Sequence, residues 1–272
     1  MNKYISSFEF SKEIKKHSLE MVVKSQASHI GSALSIADIL AVLYFDLLNV
    51  FPDNSKSDKR DYLVLSKGHA CVSLYAALGL KGFFPLEDLD TYGNDGSNFM
   101  NHISHKVPGV EFSTGSLGHG LPFATGIALG KKIKHLSNRI FVIVGDGELD
   151  EGSNWEALLF ASHHKLDNLI IIVDYNKLQS LTTVEQTLCI EPLANKFEAF
   201  GCNVHNVDGH NHIHLFNLFN KSINNRNGKP TVVIADTIKG KGVSYMENKV
   251  KWHYSTPSQD ELFQALNEID NA

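Results

Sequence analysis

The segment VIVGDGELDEGSNWEALLFA, from Val142 to Ala161, decides the fold. An apolar run that begins at Ile140 ends on Gly145-Asp146-Gly147. An acidic turn follows, then Trp155, Leu158, Leu159 and Ser162 at helical spacing. Ser153 and Glu156 have the spacing of a capping box for that helix. The next apolar run, LIIIVD (169–174), ends on Tyr175-Asn176. Continuous apolar strands joined by a helix indicate a parallel sheet covered on both faces. In such sheets ligands gather beyond the carboxyl ends of the strands, so Asp146 and Asn176 are expected at one edge. One carboxylate and one amide oxygen suit magnesium, which prefers oxygen, keeps waters and is completed by phosphates. The helix start directs free N–H groups to the same edge, and Gly145 and Gly147 leave room for a diphosphate. In isolation a Gly-Asp-Gly is more often a simple turn; the matched second strand end gives it weight.

The same alternation extends outward. Helices are expected over 10–25, 36–47, 70–81 and 121–135, with Ser35 and Asp38 as a capping box for the second. Strands are expected over 60–66, 203–207 and 231–235, and helices over 154–164, around 197–200 and over 211–224. Gly126 and Gly130 would let the 121–135 helix pack closely on a neighbour. The polar stretch 91–116 is long for a loop, and long loops in compact domains tend to be functional. The whole reads as one α/β domain over 1–272, with a parallel sheet, helices on both faces, an N-terminal helical elaboration and an irregular C-terminal tail.

Composition narrows the function classes. The net charge of −5 provides no basic excess for nucleic acid. No run of about 18 apolar residues would span a membrane, and the start lacks a signal-peptide stretch. Three cysteines without a C-x-x-C pair suggest neither disulfides nor structural zinc. A cytoplasmic setting is the expectation.

Several spaced blocks resemble the transketolase family of thiamine-diphosphate enzymes. G-D-G-x-x-x-E-G followed by an Asn about 30 residues later is similar to its cofactor motif. HIGSALSIADILAVLY (29–44), LSKGHACVSLYAAL (65–78), STGSLGHGLPFATGIALGKK (113–132) and ADTIKGKGVSYMENKVKWH (235–253) resemble further family blocks in the right order. The resemblance implies the thiamine-diphosphate-binding fold. It implies Asp146, Asn176 and the Leu178 backbone carbonyl as ligands of Mg2+, or of Ca2+ or Mn2+ in its place. It implies Ser32, His69, Gly115, Ser116, Leu117, Gly147, Asn176, Lys239 and His253 around the cofactor. His29, His69, His102 and His253 are implied as catalytic, with His29 and His102 on the ketose. His105 competes with His102 if the loop is shifted, and Glu151 matches a position that couples paired sites. His17, His163, His164, His205, His210, His212 and His214, and Asp208 in VDGHN, are expected to have ordinary surface, turn or cap roles.

A family member is more than twice this length, and its second domain binds the aminopyrimidine ring. The resemblance therefore implies the N-terminal subunit of a split enzyme, transferring a two-carbon ketol unit between sugars or sugar phosphates. Its partner would be a separately encoded C-terminal subunit, in an α2β2 heterotetramer. Related alternatives are a 1-deoxyxylulose-phosphate-synthase-like or 2-oxo-acid-dehydrogenase-like subunit, or a non-catalytic regulatory chain. One departure stands out: the run after Asn176, NKLQSLTTVEQT (176–187), lacks the family's acidic-glycine turn.

Overall fold

In the computed structural model, which describes residues 5–272, five strands form one parallel sheet in the order β1-β2-β3-β5-β4. The strands are β1 (Tyr62–Leu65), β2 (Ile140–Gly145), β3 (Leu169–Tyr175), β4 (Asn203–Asp208) and β5 (Thr231–Asp236). Gly145 is in register with Asp174, and Asp174 with Ala235. The carboxyl ends of β2, β3 and β5 thus form one rim.

Alternation along the strands divides the core into two layers. Phe141, Ile143, Ile170, Ile172, Val233 and Ala235 face one layer. It also takes residues of α1 (Ser7–Ser25), α2 (Ile30–Leu34), α3 (Ala37–Val42), α4 (Cys71–Lys81), α9 (His212–Asn224) and α10 (Gln259–Asp270). Ile140, Val142, Val144, Ile171, Val173 and Val232 face the opposite layer. There they meet α5 (Gly120–Ile133), α6 (Gly152–His163) and α8 (Leu193–Ala199). A short helix, α7 (Val184–Thr187), follows β3.

Helix ends show where local patterns hold and where packing overrides them. α4 stops at Gly82 in the left-handed region, φ 92°, as glycine allows. The stretch expected as one helix over 36–47 is divided into α3 and a π turn over Leu43–Leu47, with the short α2 preceding it. Its expected capping box does not form. Ser35 Oγ instead donates to Ser32 O at 2.9 Å and to Asp174 at 2.7 Å, and Asp38 is buried against Lys15 at 2.7 Å. The box expected at Ser153 and Glu156 is also absent: Glu151 is the cap residue, and Ser153 Oγ donates to Gly118 O at 2.6 Å. The C-terminal tail, expected to be irregular, contains α10. Ser258 and Glu261 close a complete capping box there, and Ala265 and Ile269 enter the core. Replacing Ser258 with Ala should lower the unfolding free energy by about 1 kcal/mol in a denaturant titration.

Candidate active site

The rim is organised around Asp174, which is wholly buried at the end of β3. Lys67 Nζ donates to it, as do Ser35 Oγ at 2.7 Å, Thr237 Oγ1 at 2.5 Å and Asn176 Nδ2 at 3.1 Å. Burial pushes this carboxyl up, but Lys67 and the hydroxyls outweigh it and hold the pKa below the ordinary value. Because Asp174 takes the Nδ2 group, the Asn176 amide oxygen is turned the other way, where it accepts the Leu178 N–H at 3.1 Å. Lys67 also donates to Ser32 O at 3.0 Å, which ties α2 to the rim.

Asp146, at the end of β2, is also buried, but its surroundings differ. Its oxygens accept the backbone N–H groups of Gly147 at 2.7 Å and Lys177 at 2.6 Å, and neither donor group is charged. Burial, reinforced by Asp174, pushes its pKa up to about 7. Such a carboxylate gains from a cation. The Asp146 carboxylate, the Asn176 amide oxygen and the Leu178 carbonyl are all oxygen donors. They form an incomplete set that fits magnesium, calcium or manganese shared with a phosphate.

Lys239 presents the complementary charge. It is buried, and its ammonium donates to Leu178 O at 3.1 Å and Gln179 O at 3.0 Å, and lies 2.9 Å from His253 Nδ1. Burial, and then Lys67, pull its pKa down to about 8. None of these partners carries a negative charge, so the donor set fits an anion such as a diphosphate. The Leu178 carbonyl is therefore shared between its expected metal-facing role and Lys239.

Both features open into a cavity of about 270 Å³. Asp146, Asn176, Leu178, Gly147, Ser32, Lys239, Gly115 and Leu117 line it, as do His29, His69, His102 and His253. Ser116 is exposed and is not part of this lining. The imidazoles form a cluster, with His29 centred 5.2 Å from His69, 5.8 Å from His102 and 5.1 Å from His253. Burial is the main cause of a lowered pKa at each. His29 falls to about 4, with His102 and Lys239 adding to the effect, and His253 falls to about 3, with Lys239 adding. His69 lies well below its ordinary value and pairs with Ser32 Oγ at 2.9 Å, while His102 is lowered by burial. All four are uncharged near neutral pH. His29 holds φ at 71°, a strained conformation for a residue with a side chain.

The competing positions separate clearly. His105 hydrogen-bonds Ser113 at 2.7 Å and is not among the cavity residues. Glu151 caps α6 at an exposed position outside the cavity. A Cβ on Gly147 would come within 2.9 Å of Gln179 Cγ, so the glycine first of all admits that side chain. At Gly145 the corresponding space is open, with Glu148 Cβ at 3.9 Å.

A family model described as "Transketolase, thiamine diphosphate binding domain" matches residues 8–269. The chain belongs to the transketolase family. It is 44% identical over 275 residues to a protein of Actinobacillus succinogenes named as one subunit of an apulose-4-phosphate transketolase, covering 99% of both chains. It is 42% identical over 258 residues to "6-deoxy-6-sulfo-D-fructose transketolase subunit SqwG" of a Clostridium species, covering 94% of both. The crystal structure of Campylobacter jejuni transketolase superposes with a TM-score of 0.92 at 32% identity. That match covers 97% of this chain but 42% of the solved one, so the chain spans about two-fifths of that transketolase.

In this transketolase domain several cavity residues escape motif reading: Lys67, Glu148, Gln179, Ser180 and Tyr254. Glu148 accepts from Ser66 Oγ, from Gly118 N at 2.9 Å and from Gly145 N at 3.2 Å, so it clamps the 115–118 turn to β2. Its signal was its place inside G-D-G-E-L. Lys67 lies inside the LSKGH block, and its importance appears only once Asp174 is seen beneath it. The glycine-free run after Asn176 folds into a hairpin. Leu178 bridges Thr183, Gln179 N donates to Thr182 O at 2.9 Å, and Gln179 Nε2 donates to Asp150 at 2.9 Å.

Asp146 has a pKa of about 7 when folded against 3.8 for a free aspartate. The folded state therefore holds the extra proton, and its stability falls as pH rises through that window. The difference in unfolding free energy between wild type and Asp146→Asn should decrease from pH 4 to pH 7 in metal-free buffer. Thermal stabilisation of the wild type by Mg2+ with thiamine diphosphate should grow over the same range, because cation and proton compete. Asp146→Asn should lose that stabilisation.

Proposed function

We propose that this chain is the diphosphate-binding subunit of a two-chain, thiamine-diphosphate-dependent transketolase. It would serve transfer of a two-carbon ketol unit from a ketose or ketose phosphate to an aldose acceptor. One observation carries the reading: four neutral imidazoles face a cavity whose floor pairs an oxygen-donor set at Asp146 and Asn176 with a buried ammonium at Lys239. The near end-to-end match to chains named as transketolase subunits supports it. We read the whole chain as one such domain.

Asp146, Asn176 and the Leu178 carbonyl would hold Mg2+. Lys239, Ser32, His69 and His253 would hold the diphosphate, against the backbone of Gly115, Leu117 and Gly147. When bound, thiamine diphosphate supplies the electron sink that cleavage of a carbon–carbon bond beside a carbonyl requires. His29, uncharged across the working range, has Nδ1 2.9 Å from Ser28 Oγ, which leaves Nε2 for a sugar hydroxyl without burying a charge. His102 is more exposed, with its ring centred 5.8 Å from that of His29, where it can exchange protons with substrate hydroxyls. The His29 and His102 pair suits ketose hydroxyls better than a 2-oxo acid.

The partner would be a separate pyrimidine-binding chain, with two copies of each subunit. The α5–α6 face supports this. A Cβ at Gly126 or Gly130 would meet nothing within 4 Å, so the close packing that these glycines permit is not used among the described residues. Ile133, Leu159 and Phe160 are exposed on the same two helices. The three cysteines are free, as in a reducing cytoplasm. Among the described residues no helix is long and apolar enough to cross a membrane.

The purified chain should show no ketol transfer from a ketose phosphate, and activity should appear on mixing with its cognate pyrimidine-domain chain. Robust turnover by the chain alone, or none after mixing, would refute the reading. In the mixture Asp146→Ala should lower activity by about a hundredfold or more. Leu at Gly126 and Gly130 should leave the isolated chain folded by circular dichroism and abolish co-elution with the partner.

A further inference from the structure

The turn Val207-Asp208-Gly209-His210-Asn211 lies outside the cavity, yet it is built against the site from behind. Gly209 N donates to Asp236 O at 2.9 Å. A Cβ on Gly209 would collide with Thr237 Cγ2, so only glycine lets the turn lie this close to the end of β5. Asp208 keeps its expected turn role by accepting His210 N at 2.9 Å. His210 does not keep an ordinary one.

Its ring bridges two layers of the molecule. Nδ1 is 2.7 Å from Asp38 Oδ2, and Nε2 accepts the Ile238 N–H at 2.9 Å. A backbone amide only donates, so Nε2 carries the lone pair and Nδ1 carries the proton that goes to Asp38. Asp38 is buried on α3 and also receives Lys15 Nζ at 2.7 Å from α1. His212 Nε2 lies 3.3 Å away, and its own Nδ1 is 3.0 Å from Ser7 Oγ. Burial pushes the Asp38 carboxyl up, but Lys15 and the two histidines outweigh it and hold it well below the usual range. Asp38 is therefore a fixed anion rooted in the helical layer, and His210 is a rigid strut running from it to Ile238.

Ile238 sits between two residues of the site. Thr237 Oγ1 donates to Asp174 at 2.5 Å. Lys239 Nζ holds Leu178 O and Gln179 O and lies 2.9 Å from His253. We propose that His210, oriented by Asp38, is a positioning residue of the cofactor site, and that its hold on the Ile238 amide sets where the Lys239 ammonium stands. The cofactor-facing part of this inference rests on the function proposed above. The same geometry explains why an Asp-Gly-His turn is placed beyond β4, at the edge of the sheet and away from the cavity.

His210→Phe keeps a ring and removes the acceptor, whereas His210→Gln keeps an acceptor. In the two-chain enzyme at fixed Mg2+, His210→Phe should raise the thiamine diphosphate concentration for half-saturation by about ten- to hundredfold. Its kcat at saturating cofactor should stay within about twofold of wild type, and His210→Gln should recover most of the affinity. Nitrogen NMR of the wild-type chain should show His210 Nδ1 protonated and Nε2 unprotonated, a readout that depends on no variant folding. The Ile238 amide should exchange with solvent at least about tenfold faster in His210→Phe, as a freed amide does. A wild-type ring protonated at Nε2 overturns the proposal. So does unchanged half-saturation in His210→Phe when the wild-type complex binds cofactor normally. A wild-type complex that takes up no thiamine diphosphate overturns the proposed function, and the cofactor-facing part of this inference with it, while the ring and amide signals still decide the geometry of the strut.

Discussion

The structure of the site depends on one buried ion pair, Lys67 with Asp174. Taking both charges out of water costs several kcal/mol per ion, and only additional hydrogen bonds make such a pair tolerable. Here they come from Ser35, Thr237 and Asn176, which belong to three different segments. The pair therefore fastens the loop after β1, the junction between α2 and α3, the end of β3 and the loop after β5 to one point. Breaking one link would expose an unbalanced charge, so these loops are held together. The orientation of the Asn176 amide follows directly from this arrangement.

Around that balanced pair stand groups that lack a counter-charge. Asp146 is buried with neutral partners and is pushed towards protonation, and Lys239 is buried with neutral partners and is pushed towards deprotonation. Each would be restored to its charged form by an opposite charge, a cation for one and an anion for the other. A metal diphosphate offers both at once. The four histidines complete the pattern by staying uncharged, which keeps their repulsion of Lys67 and Lys239 low.

A second buried carboxylate, Asp38, repeats the architectural idea on the far side of the β5 loop. Asp174 fastens Thr237 from below the cavity, and Asp38 reaches Ile238 through His210. The segment 237–239 is clamped between them, and Lys239 emerges from the clamp.

Much of this was legible in one dimension. The apolar runs before Asp146 and Asn176, each long enough for a buried strand, determined a parallel sheet and brought the two residues to one rim. Spaced family blocks named His29, His69, His253 and Lys239, and the family spacing before Gly115 named His102. What misled was local pattern where tertiary partners compete for the same side chains. Ser35 and Asp38 have capping-box spacing, but Asp174 and Lys15 claim them. Ser153 has it too, but the Gly118 carbonyl claims its hydroxyl. The tail carries an unopposed box at Ser258 and Glu261, so a helix forms where an irregular end was expected. His210 looked ordinary because its partners, Asp38 and Ile238, lie 172 and 28 residues away. Sequence by itself determined the strands, the rim and the chemical types gathered there, since these follow from hydrophobic period and residue identity. Only the tertiary structure decided which carboxylate is neutralised and which is left wanting a cation, because desolvation and pairing depend on neighbours that the chain order does not reveal.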